Sequence, residues 1–337
     1  MPIVLLDPGP LPDPGDTSGV CYITAGDFWL NAFDKMCPWN MPIGTGVEFA
    51  TTGVEVTAWN SQRGCNVNPT PGDGWGCQTY KNNGTEPLQN LSWDGVGGGD
   101  NQFPPSNVLR FPDSLNTGTA GHDQNAFIYD AASNMYYEFW RLRKTSERNW
   151  KCASIHKRPG DGLGYKAGGA NYRGVPASGL SIVKSLIWTR QWDGDNICQN
   201  CLGIALDRAV LGTGIVFPGT STDGSAAGTG VSYGRRFAIP SPAKGGPDPL
   251  GTAGSLLRKG YEWGMGYGLY VIDQSTGNTM RAANDVSNTL RTNFISMMNT
   301  LWPHFKPVMN YTSSQTVCGG GTPIVPNCAY NSGAPRG

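Results

Sequence analysis

The chain has 337 residues, a formal net charge of zero and only 15% charged side chains, so it carries no basic field with which to hold nucleic acid or an anionic lipid surface. Its 48 Gly and 25 Pro make about a fifth of the residues, below the share of a low-complexity chain, while 11 Trp, 13 Tyr and 11 Phe supply core material. A loop-rich globular protein follows, and no run approaches the ~18 apolar residues that a membrane span requires.

Residues 1–20 carry Pro2, Pro8, Pro10, Pro12 and Pro14, which removes amide donors and predicts an extended, polyproline-like arm. MPIVLLDPGPLPDPGD has neither the basic nor the apolar region of a signal peptide. The chain is therefore expected to leave its cell without a Sec signal or to be supplied without one. Residues 21–116 form a loop-rich β region of short apolar runs between Gly/Asn/Pro turns. Alternation at Val47 and Phe49, and at Val54, Val56 and Ala58, predicts strands there. Residues 117–310 hold the main strand candidates: NAFIYD, MYYEFWRLR, SIVKSLIWTR, LGIALDRAV, RRFAIP and YGLYVID. Helical spacing of apolar residues marks 252–264 and 285–300, the second opened by a capping-type Asp285. Residues 311–337 are a Gly/Pro-rich tail. The fold class predicted is mainly β, a jelly roll or sandwich with Gly/Pro-rich loops and one or two short helices.

The segment 122–143, HDQNAFIYDAASNMYYEFWRLR, reads as a hairpin, its two strands joined by Ala131, Ala132, Ser133 and Asn134. Rings, amides and a carboxylate on one sheet face equip a protein to hold sugars, so Tyr137, Phe139, Trp140 and Trp188 are glycan-binding candidates. Glu138 is the candidate acid/base. Hydrolysis of a glycosidic bond would need a second carboxylate roughly 5 to 9.5 Å away, which Asp123, Asp130 or Asp273 could supply. His122 could act as a base with Tyr136 or Tyr137. The simpler readings are that Glu138 pairs with Arg141 or Arg143 and that His122 is a hydrogen-bonded strand end, which leaves the chain without an assured catalytic residue.

Nine cysteines group locally as Cys21 with Cys37, Cys65 with Cys77, Cys198 with Cys201 and Cys318 with Cys328, leaving Cys152 over. Disulfide staples across loops are the simplest expectation and would place the protein outside a reducing cytosol. A zinc site needs four converging ligands and is not expected with one Cys-x-x-Cys and three His. Asp193 and Asp195 in WDGDN offer oxygens that suit Ca²⁺, but the full loop with its twelfth-position Glu is missing, so a plain turn is preferred and no cofactor is expected.

His122, Asp123 and Asn125-Ala126 leading into YYEFW, followed by Ala177-Ser178-Gly179-Leu180-Ser181-Ile182, LGIALDR, Tyr233-Gly234-Arg235-Arg236-Phe237 and YGLYVIDQSTG, resemble the succession of motifs in a family of exported bacterial β-sandwich proteins. The resemblance covers residues 120–280 and implies a sandwich fold and association with cell-envelope polysaccharide. Gly203-Ile204 stands where that family has a histidine, and Leu180-Ser181 replaces its Leu-Pro.

The neutral charge and the Gly/Asn/Trp-rich loops are similar to those of phage capsid decoration or tail proteins. The expected function is a non-enzymatic extracellular or virion surface protein. Its N-terminal arm would assemble it with itself or with other structural proteins, with contact to a surface polysaccharide. The alternatives are a secreted polysaccharide hydrolase or lyase and the subunit of an extracellular filament.

Overall fold

A computed structural model describes residues 32–33, 37–68, 76–96, 101–118, 121–165, 174–193, 198–224 and 230–324. Within them the chain is mainly β, with sixteen strands in four mixed sheets and three α-helices.

The first elements are α1 (Val54–Ser61) and the two-residue β1 (Asn66–Val67). Helix α1 corrects the strand predicted through Val54, Val56 and Ala58. Val56 and Trp59 are buried three residues apart on one helical face, and Glu55 on the neighbouring turn pairs with Arg235 at 2.7 Å. A run this short satisfies both periods, and the pocket that receives the Trp59 indole selects the helix.

Eight strands then build a two-sheet sandwich: β2 (Cys77–Asn82), β3 (Leu88–Trp93), β4 (Val108–Arg110), β5 (Asn125–Asp130), β6 (Met135–Trp140), β7 (Arg143–Ser146), β8 (Asn149–Cys152) and β9 (Ser154–Pro159). One sheet runs β2-β5-β6-β9, the other β4-β3-β8-β7, so the chain crosses repeatedly between layers. Period-2 alternation turns Ala126, Ile128, Tyr137, Phe139 and Ile155 of the first sheet towards Leu91, Leu109, Trp150 and Cys152 of the second. The opposite face of β5 and β6 is also covered, because Phe127 and Tyr136 join the largest core. The predicted hairpin is thus present, with its turn at 131–134 and Asn134 at φ 51°, and it forms a middle layer. Strands β2 to β4 share this sandwich with β5 to β9.

The remaining strands are β10 (Leu202–Asp207), β11 (Leu211–Ile215), β12 (Val231–Tyr233), β13 (Arg236–Ala238), β14 (Leu269–Ser275), β15 (Thr279–Met280) and β16 (Lys306–Pro307). A six-stranded sheet, β1-β15-β10-β14-β13-β16, is backed by α2 (Leu256–Gly266) and α3 (Asn288–Leu301). Ser255 and Ser287 cap these helices, accepting from Arg258 N and Leu290 N. Asp285 is therefore not the cap, and accepts instead from Thr189 N at 3.2 Å. Pairing with β14 leaves no room at Gly203, where a Cβ would lie 2.5 Å from both Ile272 Cδ1 and Ser185 Cβ.

SIVKSLIWTR is not a strand: it forms short 3-10 turns at Val183–Ser185 and Thr189–Gln191. Its amides are used elsewhere, Ile182 N by Glu138 and Ile187 N by Arg281 O. Near the ends of the described chain, Ile43 bridges Cys318, Gly44 bridges Pro323 and Phe49 bridges Val308. Residues 1–20 and 325–337 lie outside the described residues.

The disulfide expectation is corrected for the pairs the structure describes. Cys65, Cys77, Cys198 and Cys201 are free thiols, as are Cys37, Cys152 and Cys318; Cys21 and Cys328 lie outside the described residues. Cys65 belongs to the loop before β1 and Cys77 opens β2 in another sheet. Cys198 and Cys201 turn to different carbonyls, Asn200 O and Tyr267 O. Each thiol packs as a small apolar group.

Candidate functional site

Glu138, Tyr137 and Phe139 do not reach a surface. Glu138 is fully buried on the face of β6 that meets the largest core, where Ser181 Oγ donates to its Oε1 and Ile182 N donates at 3.3 Å to its Oε2. Burial pushes its carboxyl pKa up, against the lowering effects of the Arg158 guanidinium and the Ser181 hydroxyl. The expected pairing with Arg141 or Arg143 is not made; Arg143 pairs with Asp94 at 3.3 Å. His156 lies directly across the ladder from Glu138. Tyr137 and Phe139 fill the sandwich core, and Trp188 is 7% exposed. Aromatic residues buried in this way supply packing, and of the four rings proposed for sugar only Trp140 is half-open.

Trp140 belongs to a row that crosses the open end of the first sheet. Cys77 pairs with Asn125, Asn125 and Trp140 lie one step beyond the Ala126–Phe139 pair, and Trp140 pairs with Ser154. Pleating sends all four side chains to the face that meets the six-stranded sheet. Just outside the row, Gln124 and Arg141 have φ of 44° and 55°, a left-handed conformation that costs non-glycine residues energy and recurs at functional sites. Arg141 N donates to Asp123 O at 2.8 Å, and the strained pair turns the chain so that the Asp123 carboxylate accepts from Trp140 Nε1 at 3.2 Å.

Asp123 and Asp273 share one guanidinium. Arg281 Nη2 lies 3.0 Å from Asp273 Oδ2 and 3.7 Å from Asp123 Oδ2, which holds the two oxygens no more than about 7 Å apart. Asp273, at the end of β14, also accepts from Ala177 N and Gln274 N. Burial raises its pKa from 3.8 to about 6, Arg281 opposes the rise and Asp223 adds to it. Asp223 is exposed; it accepts from Tyr233 OH at 2.6 Å and from Gln274 Nε2 at 2.7 Å.

Several polar atoms here have no partner among the described residues. Asn125 Nδ2 and Oδ1, Ser154 Oγ, and Arg281 Nε and Nη1 are buried without a hydrogen bond. Buried polar groups are nearly always paired, because each unmet donor or acceptor costs roughly 1–3 kcal/mol. Beside them the Asp123 and Asp273 side chains remain partly open.

His122 is half-buried immediately before Asp123. Asp130 stands at the opposite, turn end of the hairpin, where it binds Asn82 Nδ2 at 2.8 Å. Asp193 is exposed and Asp195 lies outside the described residues; among the described residues no three His, Cys, Asp or Glu side chains converge as metal ligands. Sequence reasoning singled out Asp123, Trp140 and Asp273 but missed Arg281, Asn125 and Ser154. The one local signal was a cation, Arg281, following the YGLYVID strand that carries Asp273. Among the described residues no helix is long and apolar enough to cross a membrane. In comparisons with family models, curated proteins and solved structures, nothing matches this chain.

Proposed function

We propose that the chain is an extracellular or virion surface protein that binds glycan at the open end of β5 and β6. The observation that carries this reading is the pair of partly open carboxylates, Asp123 and Asp273, held on one guanidinium beside the half-open Trp140 ring. Sugar hydroxyls donate to carboxylates and sugar rings stack on an indole, so this combination suits them. The resemblance of residues 120–280 to exported envelope-associated sandwich proteins points the same way. Assembly with further copies or with other structural proteins through residues 1–20 belongs to this proposal. Binding of envelope polysaccharide fragments, measured by calorimetry, should fall at least tenfold in Asp123→Asn and in Trp140→Ala, with the fold verified by circular dichroism. Unchanged binding in both variants would move the site elsewhere.

A second reading is favoured by one observation. Asp273, its pKa raised to about 6 by burial, stands beside a second carboxylate, Asp123, on the same guanidinium, the combination of a raised acid and a neighbouring carboxylate that glycoside hydrolysis uses. Release of reducing ends from a polysaccharide, lost in Asp273→Asn, would establish it. Their absence across neutral and acidic polysaccharides would remove it.

A further inference from the structure

We infer that the site selects neutral, hydroxyl-bearing sugars and rejects uronic or sulfated ones; the inference rests on the glycan reading above and narrows its ligand class. Three features carry it.

The acceptors at the site are anionic. Asp123 and Asp273 carry side chains 28% and 15% exposed, and Asp223 lies close enough to Asp273 to raise its pKa. Each carboxylate accepts strongly from a sugar hydroxyl and repels a ligand carboxylate or sulfate in the same place. Hydroxyls are the donors that a neutral sugar presents at every position.

The cation at the site is already committed. Arg281 Nη2 is held by both carboxylates, and the atoms left over are Nε and Nη1. A guanidinium grips a carboxylate in bidentate fashion through a shared edge, Nε with Nη2 or Nη1 with Nη2. Nε and Nη1 share no edge, so an acidic sugar could not make that grip unless it displaced Asp123 and Asp273. Both nitrogens are also buried, so Arg281 offers no free edge to an acidic ligand.

The remaining unpartnered groups are neutral. Asn125 and Ser154 are uncharged and buried, so they add no cation to the site. The other nearby cation, Arg141, is turned over the Trp140 ring, 5.8 Å from its centroid.

The test is calorimetry on the full chain at pH 7.5 with cellohexaose and mannohexaose as neutral probes and oligogalacturonate and oligoalginate of equal length as acidic ones. At least one neutral probe should bind, and both acidic ones should bind no better than a hundredth as tightly. Asp123→Asn and Asp273→Asn, which keep side-chain shape, should each weaken the neutral probe about tenfold, the scale of one lost charge-assisted hydrogen bond. Acidic probes binding as tightly as neutral ones would overturn the inference while leaving the glycan reading in place. So would neutral binding that neither variant changes. If neither class of probe binds, the glycan reading itself fails and this inference with it.

Discussion

Trp59 and Trp302 lie face to face, their ring centroids 3.9 Å apart and their planes 3° from parallel, and each indole N–H donates to the other residue's carbonyl oxygen, at 3.1 and 3.3 Å. Phe237 stacks on the other side of Trp59 at 4.1 Å. Helix α1, strand β13 and the end of α3 are therefore clasped by one aromatic stack whose polar edges are fully paired.

Replacing Trp59 by Ala should cost about 3–5 kcal/mol, the usual penalty for emptying a large buried aromatic site. The same holds for Trp302→Ala. The double variant should lose less than the two added together, because each single change already breaks the shared stack and both hydrogen bonds. Urea denaturation of the three variants measures the coupling, and simple additivity would contradict the clasp.

Glu138 should prove to be a stability residue rather than a binding one. In Glu138→Ala, Ser181 Oγ and Ile182 N lose their acceptor in a buried site and Arg158 loses its neighbouring charge, which should cost about 3–5 kcal/mol. Glu138→Gln keeps an acceptor for the same donors and removes a charge that burial disfavours, so it should cost far less. Denaturant midpoints for the two variants decide the matter, and saccharide affinity of the folded protein should match the parent in both.

Two groups should pull stability in opposite directions with pH. Burial lowers the His156 pKa from 6.5 to about 3. Its contribution is therefore present above pH 6.5 and is lost as pH falls towards 3, at a slope of up to about 1.4 kcal/mol per pH unit. Asp273, raised from 3.8 to about 6, contributes below pH 3.8 and loses that contribution as pH rises through 6. Arg281, Asp223 and Asp123 surround Asp273, while Arg158 and Glu138 neighbour His156, and Glu138 titrates in the same sense as Asp273. The stability difference between parent and His156→Gln should grow from pH 3 to 6.5. The difference between parent and Asp273→Asn should shrink from pH 4 to 6. Thermal midpoints across that range test both signs.

The seven described cysteines should behave as inert core groups. Burial pushes the thiols of Cys37, Cys65, Cys77, Cys152, Cys198 and Cys201 up to about 12 and raises that of Cys318, so thiolate is scarce at neutral pH. Iodoacetamide should label these positions only after denaturation, as peptide mass spectrometry would show. Labelling of native Cys198 or Cys201, or a disulfide joining them, would contradict the packing.

Much of the sandwich was legible from local chemistry. The hairpin from Asn125 to Trp140 has aromatic strands and a polar turn that allow few other conformations, and the helices near 256 and 288 have serine caps and apolar stripes. The segment at 54–61 was misread because eight residues with Val and Trp satisfy either period, and only the Trp302 and Phe237 rings select the helix. SIVKSLIWTR was misread because β-branched composition registers burial, whereas the ladder it would have joined is occupied by other strands.

By itself the sequence determined the class of the protein: aromatic strands between glycine- and proline-rich turns, neutral overall, with a hairpin at its centre. Tertiary structure decided the site. Asp123, just before β5 and hydrogen-bonded to Trp140 of β6, meets Asp273 and Arg281 only because one sheet packs against another. No local pattern records which carboxylates will share a guanidinium across a hundred and fifty residues of chain. The same packing moved Glu138 from a candidate catalyst to a buried structural carboxylate, because both faces of its strand are covered.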